Sequence, residues 1–349
     1  MFQDIHLDEV LALHQKQQIK LIDVRSPSEF RDWTIPGSIN IPVFNDEERA
    51  EVGTIYKQES TEAAKKRGLE IMSAKLPQFI EKFKEVEGPK AVFCWRGGMR
   101  SKTAATVVDL MGMSVSRLVG GIRTYRSWVV DTLNSYHIQP ESIALNGYTG
   151  SGKTIILHEL RKKGYPVIDL EGMAQHRGSV FGQIGLTPNN QKKFDSLLLE
   201  QLIHYQSAPY ILFEAESKRI GKVALPDFLS EKKSNGIQIF IDMPVEERVK
   251  IILEDYEPWK HHQENLNAFD HIKKRIHTPI AKEIETALHS EDYATAVRLL
   301  LEYYYDPRYD HTRKQYADEK TRYIKVDNIE DAIASMEELL AQMNMPIHA

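Results

Sequence analysis

A single cysteine, Cys94, stands in 349 residues, so no disulfide can staple the chain to itself. No apolar run approaches the roughly 20 residues that a membrane-spanning helix needs. Met1-Phe2-Gln3-Asp4-Ile5-His6 leads directly into mixed polar sequence rather than a signal segment. The expected location is the cytoplasm, away from membranes. Excess charge of one sign is missing too: the net charge is −5, with 19 Lys+Arg against 18 Asp+Glu up to residue 137 and 26 against 32 beyond it. That balance argues against coating nucleic acid through bulk charge but leaves room for local docking. Basic clusters do occur at Lys65-Lys66-Arg67, Lys192-Lys193, Lys218-Arg219 with Lys222, and Lys273-Lys274-Arg275, although charge runs on helices are usually solvated faces. Internal repeats and low-complexity linkers are absent, and the length suggests two domains at about 100–200 residues each.

What is present is alternation. Leu21-Ile22-Asp23-Val24, Ser38-Ile39-Asn40-Ile41, Ala91-Val92-Phe93 and Ser116-Arg117-Leu118-Val119 are short β-rich runs separated by helical patterns, which predicts a parallel sheet with covering helices. A second α/β unit begins near Ser142, with strands expected at 143–145, 167–170, 210–213, 237–241 and 323–326. Between Pro244 and Asp306 the pattern is largely helical. The domains expected are 1–135 and 136–349.

Cys94 follows the apolar run 91–93 and opens Cys94-Trp95-Arg96-Gly97-Gly98-Met99-Arg100-Ser101. A lone thiol at a strand-to-loop junction reads as a nucleophile. Gly97 and Gly98 let the loop curl so that backbone N–H groups point inward, and Arg96 and Arg100 add positive charge that favours thiolate. A helix expected from about Ser101 would set its positive end beneath the loop.

Gly147-Tyr148-Thr149-Gly150-Ser151-Gly152-Lys153-Thr154 matches the phosphate-binding P-loop at every fixed position and lies between a predicted strand and helix. Its backbone N–H groups would cradle a diphosphate, Lys153 would bridge the oxygens, and Thr154 could hold a magnesium ion. An aspartate ending an apolar strand, which nucleotide hydrolysis favours, is not evident; Glu214 is the best candidate, with Asp169 and Glu171 as competitors. Two polar clusters, Asp169, Glu171, His176 and Arg177, then Glu214, Glu216, Ser217, Lys218 and Arg219, follow strand ends at the sheet edge where α/β proteins bind ligands.

The Cys94 loop, with residues 23–30 and 35–42 upstream and Gly120-Gly121 downstream, resembles the rhodanese family, whose loop cysteine carries sulfur as a persulfide. Asp23 and Arg25 would then be structural. The spacing from Cys94 to Arg100 is C-x5-R, one longer than is usual in rhodaneses and equal to that of dual-specificity phosphatases, although Phe93 replaces the histidine that normally precedes a phosphatase cysteine.

A rhodanese-like domain fused to a P-loop domain with Asp169-Leu170-Glu171-Gly172, His176-Arg177-Gly178-Ser179 and Glu216-Ser217-Lys218-Arg219-Ile220-Gly221 is similar to the tRNA 2-selenouridine synthase family over nearly the whole chain. The resemblance implies an α/β chain: an N-terminal rhodanese-like parallel-sheet domain, then a P-loop NTPase-like α/β domain with a helical C-terminal part. It implies conversion of wobble 2-thiouridine in lysine, glutamate and glutamine tRNAs to 2-selenouridine, by geranylation with geranyl diphosphate and then selenation with selenophosphate through a Cys94 S-selanylcysteine. Partners would be the tRNA anticodon arm and the two co-substrates, with no tightly bound cofactor and no resident metal assigned. Tyr303, Tyr304, Tyr305 and Tyr309 form one candidate for the geranyl slot or for stacking a flipped base. The alternative is a rhodanese-type sulfurtransferase whose P-loop domain activates its substrate with ATP.

Overall fold

Short runs of β-branched and aromatic residues, buried along nearly their whole length, organise each half of the chain around a parallel sheet. The computed structural model describes residues 1–308 and 318–347, and divides into the units Met1–Ser135 and Tyr136–Ala349. In the first, β1 (Gln3–Ile5), β2 (Lys20–Asp23), β3 (Ile39–Asn40), β4 (Lys90–Phe93) and β5 (Val115–Leu118) pair in the order β1-β5-β4-β2-β3. All of these pairings are parallel. The sheet ends pack Ile22, Val24 and Val92 against Phe83, Ala104 and Val108 of the covering helices.

The connection from β3 to β4 carries two helices, Asp46–Gln58 and Thr61–Lys84. Asn45 and Glu48 cap the first reciprocally, and the Ser60 hydroxyl accepts the Ala63 N–H to start the second. Just past β2, Arg25 is almost fully buried, donating from Nε to Asp23 Oδ1 at 3.0 Å and from Nη2 to Asp23 Oδ2 at 2.6 Å and to the Trp33 carbonyl at 2.5 Å. Thr34 Oγ1 donates to the same carboxylate.

In the second unit, β6 (Glu141–Gly147), β7 (Val167–Ile168), β8 (Tyr210–Glu214), β9 (Arg219–Ile220), β10 (Val223–Ala224), β11 (Ile237–Asp242) and β12 (Thr321–Lys325) follow one another. The main sheet runs β12-β11-β6-β8-β7, all parallel, while β9 and β10 form a small antiparallel hairpin. Because β6 lies between β11 and β8, the chain leaves it at a switch point, where an α/β sheet opens a crevice at its carboxyl edge. Helices Val245–Tyr256, His262–Ile272, Thr278–His289 and Tyr293–Leu300 follow, and Phe269, Ile284, Ala296 and Leu300 form their separate core. Among the described residues no helix is long and apolar enough to cross a membrane.

The buried Asp23–Arg25 pair yields a stability prediction. Arg25→Leu strands a fully buried carboxylate and costs about 3–5 kcal/mol, whereas Asp23→Asn combined with Arg25→Leu costs less. Urea unfolding of the full chain, followed by circular dichroism, should show the single substitution lowering the midpoint more than the pair does.

Candidate functional site

Each sheet delivers one loop of reactive residues at its carboxyl edge. In the N-terminal unit, Cys94 comes directly after β4 and is nearly buried, with its Sγ 3.2 Å from Ser101 Oγ. The next helix spans Met99–Leu110, so the helix expected from about Ser101 starts two residues earlier, with Gly98 at its N-cap. The carbonyls of Cys94 and Trp95 face outward, accepting Ile122 N–H at 2.9 Å and Arg123 N–H at 3.2 Å. The N–H groups of Arg96, Gly97 and Gly98 meet no acceptor among the described residues, which leaves an anion cradle beside the sulfur.

Glycine is required at this junction for a measurable reason. Gly121 has φ +62°, and a Cβ there would stand 2.3 Å from the Cys94 carbonyl oxygen and 2.5 Å from Gly97 N. The two arginines differ. Arg100 reaches Glu29 with Nη1–Oε2 2.5 Å and Nη2–Oε1 3.2 Å, while Arg96 is exposed and has no ion pair or side-chain hydrogen bond among the described residues. Burial raises the Glu29 carboxyl, but the hydrogen bond and charge of Arg100 outweigh it and hold the group below its ordinary range. Arg100 is thus anchored at the loop's end, and Arg96 is the guanidinium available to a ligand.

In the C-terminal unit, β6 runs into the glycine loop, where Gly150 (φ +79°) and Gly152 (φ +68°) turn the backbone into helix Lys153–Lys162. Lys153 Nζ donates to the Gly147 carbonyl at 3.1 Å, and Thr154 Oγ1 donates to Glu171 Oε2 at 2.7 Å. The loop borders a cavity of about 340 Å³ whose wall includes Glu171, His176, Arg177, Glu216, Tyr256 and Tyr305. A narrower apolar extension of about 50 Å³ shares Thr149, Ser179, Ile252, Tyr256 and Tyr305 with it and continues toward Leu288 and Leu300.

Acidic groups dominate the floor. Burial, then the charge of Glu216, pushes the Glu171 carboxyl up to about 8 against the pull of Lys153. Glu214 is fully buried; its Oε2 accepts the Leu170 N–H at 3.0 Å, and its Oε1 has no partner. Burial, reinforced by Asp169 and Glu171, raises that carboxyl well above its ordinary value. Burial also lowers the His176 imidazole, whose Nδ1 accepts the Gly178 N–H at 3.2 Å.

Of the residues expected at this edge, Glu171, His176, Arg177 and Glu216 line the cavity with the P-loop, while Asp169 and Glu214 lie behind them. Asp169 caps helix Leu170–Ala174 through the Gly172 N–H at 2.7 Å and bonds His158 Nε2 at 2.7 Å. Arg177 is held by Asp255 and stacks 4.4 Å over Tyr256. Ser217, Lys218 and Arg219 are exposed and outside the wall, because the chain turns there into the β9–β10 hairpin. Tyr305 lines the cavity, Tyr304 packs into the helical core under Arg308, Tyr303 is exposed, and Tyr309 lies outside the described residues.

The sequence reading missed His158, which lines the cavity, and Arg248. Arg248 is 2% exposed, pairs with Asp306 at 2.9 and 2.7 Å, and donates to the Thr149 carbonyl at 3.2 Å, fastening the P-loop from behind. No short motif announces either residue: His158 meets Asp169 only once helix and sheet pack together, and the partners of Arg248 lie far away in sequence.

A parallel-sheet domain ending in a thiol cradle, followed by a parallel-sheet domain ending in a phosphate loop, defines a two-domain protein of rhodanese and P-loop type. The description "Rhodanese-like domain" matches residues 6–127, and "tRNA 2-selenouridine synthase AAA domain" matches residues 140–340. The tRNA 2-selenouridine synthase of Bdellovibrio bacteriovorus is 39% identical over 263 residues, covering 72% of this chain and 68% of that one. The synthase of Sulfurovum sp. is 34% identical over 324 residues, covering 83% and 88%. That of Hydrogenovibrio crunogenus is 34% identical over 332 residues, covering 84% and 89%. The chain belongs to the tRNA 2-selenouridine synthase family.

The raised Glu171 carboxyl makes stability depend on pH. Its folded value of about 8 exceeds the ordinary 4.5, so the folded state holds the proton more tightly. The stabilisation is full below about 4.5 and is lost as pH rises through 8. Glu171→Gln, which cannot ionise, should raise the Tm relative to the parent at pH 8 and change it little at pH 5, as thermal scans of the metal-free protein would show.

Proposed function

We propose that this chain converts the wobble 2-thiouridine of lysine, glutamate and glutamine tRNAs to 2-selenouridine in the cytoplasm. It first makes an S-geranyl nucleoside from geranyl diphosphate and then introduces selenium from selenophosphate. The observation that carries this reading is one chain holding two differently built anion cradles, one around a thiol and one around a P-loop lysine. Membership in the synthase family supports the selenouridine product.

In the first step the diphosphate lies on residues 147–154, with Lys153 balancing the charge of the departing group. The thiocarbonyl sulfur attacks C1 of the geranyl group, forming S–C1. The C1–O bond breaks with its electron pair leaving on the diphosphate, and the uridine N3 proton goes to solvent. Leu186, Ile251, Ile252, Tyr256 and Tyr305 offer the chain an apolar wall. The Thr154 hydroxyl and Glu171 carboxylate are hard oxygen donors that would hold a magnesium ion together with diphosphate oxygens. Exposed Lys218 and Arg219 would contact RNA phosphates, making binding salt-dependent.

In the second step Cys94 carries selenium as an S-selanylcysteine, with Arg96 and the loop N–H groups steadying the phosphate of the donor. Selenium forms a bond to C2 and the geranylthiolate departs. Loading and discharging an S–Se bond are opposite two-electron changes, and Cys94 has no second cysteine to resolve it. At loading the Cys94 sulfur bonds to selenium, the P–Se bond breaks with its phosphoryl group passing to water as phosphate, and a low-molecular-weight disulfide takes up the two electrons to become two thiols. At discharge two such thiols reduce the S–Se bond that still joins Cys94 to the C2 selenium, freeing the selenium nucleoside and the Cys94 thiol and reforming the disulfide.

Incubation with a 2-thiouridine anticodon stem-loop and geranyl diphosphate should add a geranyl mass, and selenophosphate with a low-molecular-weight thiol and its disulfide should then give the selenium nucleoside. Cys94→Ser should abolish selenation while leaving geranylation within about two-fold. Lys153→Ala should reduce geranylation by at least roughly 100-fold, the scale set by losing one charge-stabilising donor. Equal loss of both steps in folded Cys94→Ser protein, read by nucleoside mass, would refute the division.

A further inference from the structure

The largest cavity described, about 720 Å³, is not at the P-loop but over Cys94, under the roof made by helices Asp46–Gln58 and Thr61–Lys84. Its lining is largely apolar, with Val43, Phe44, Val52 and Met72 deeper and Leu69 and Met99 at exposed positions of the wall. Its charged lining is all of one sign: Arg49, Lys57, Lys65, Arg96 and Arg100 contribute, and no aspartate or glutamate does, in a chain whose net charge is −5. Arg100 and Arg49 face Glu29, but Lys57, Lys65 and Arg96 have no ion pair among the described residues. Two exposed aromatic rings, Tyr56 and Trp95, also line the cavity.

An inorganic donor such as selenophosphate needs only the loop cradle. A space this large, matching sites for whole organic ligands, calls for an occupant that is part apolar and part anionic. We infer that this cavity seats the S-alkylated nucleotide: its thioalkyl chain against the apolar wall, its base against Tyr56 or Trp95, and its flanking phosphates on Lys57, Lys65 and Arg96. The inference rests on the two-step reading above and assigns the second step a binding site that the thiol motif alone does not reveal. As selenium bonds to C2 and the C2–S bond breaks, the geranylthiolate takes the electron pair and departs within a surface suited to it.

Cys94 is the only thiol, so alkylation by iodoacetamide, followed as intact mass, reports on this cavity alone. The full-length protein would be labelled with anticodon stem-loops bearing S-geranyl-2-thiouridine, S-methyl-2-thiouridine or 2-thiouridine present in turn. The S-geranyl stem-loop should slow labelling at least ten-fold at a concentration where the S-methyl one slows it less than three-fold. Leu69→Asp and Met99→Asp, both at exposed lining positions, should remove that difference while the thermal midpoint stays close to the parent's. Lys57→Glu with Lys65→Glu should weaken protection by every stem-loop. Equal protection by the geranyl and methyl forms, or a geranyl advantage that survives Leu69→Asp and Met99→Asp, would overturn the assignment. Because the alkylated RNA is supplied ready-made, protection is scored even if the protein fails to geranylate 2-thiouridine, so failure of the cavity assignment and failure of the two-step reading are separately visible.

Discussion

The N-terminal unit depends on one backbone-to-backbone approach, residues 94–97 against Gly120 and Gly121. With no side chain at Gly121, the Cys94 and Gly97 backbone comes within a distance that any Cβ would forbid, and helix Ile122–Asn134 can start by donating to the Cys94 and Trp95 carbonyls. With those carbonyls engaged, the N–H groups of residues 96–98 are left without an acceptor among the described residues, and helix Met99–Leu110 begins directly after them. Position of the thiol, polarity of the cradle and the floor of the large cavity all follow from that contact.

The two sites solve the problem of holding an anion in opposite ways. Around Cys94 the lining is cationic and free of carboxylates, so an anion meets net attraction on arrival. Around the P-loop, Glu171 and Glu216 crowd the pocket beside Lys153, with Glu214 behind them. A diphosphate there needs those carboxyls protonated or bridged by a cation, which is the condition under which Thr154 and Glu171 become useful together. Arg248, locked to Asp306, keeps the loop rigid without spending its charge on the ligand.

The β-rich runs of the sequence found the sheets because burial on both faces of parallel strands demands continuous apolar segments. They missed Gln3–Ile5, whose three residues include two polar ones, and the β9–β10 hairpin, whose strands hold two residues each. Glycine spacing located both loops, since a curled backbone leaves a local signature. Which acidic residue faces the ligand was not local: Asp169 and Glu171 are two apart, yet one caps a helix and bonds His158 while the other receives the Thr154 hydroxyl. The cavity over Cys94 was equally hidden, because it arises from the packing of two helices some thirty residues upstream, whose sequence reads as ordinary amphipathic surface.

A reactive sulfur with no resolving partner has only one direction to go when oxidised. A second cysteine would trap a sulfenic acid as a disulfide and return it; Cys94 lacks one and would proceed up the ladder to the irreversible acids unless a small thiol intervened. Its near-complete burial and its contact with the Ser101 hydroxyl hold the sulfur in place at the cavity wall. The cavity over the sulfur is wide enough for a nucleotide and so also admits a small oxidant, which leaves the site between turnovers dependent on small thiols in solution to return the sulfur to its reduced state.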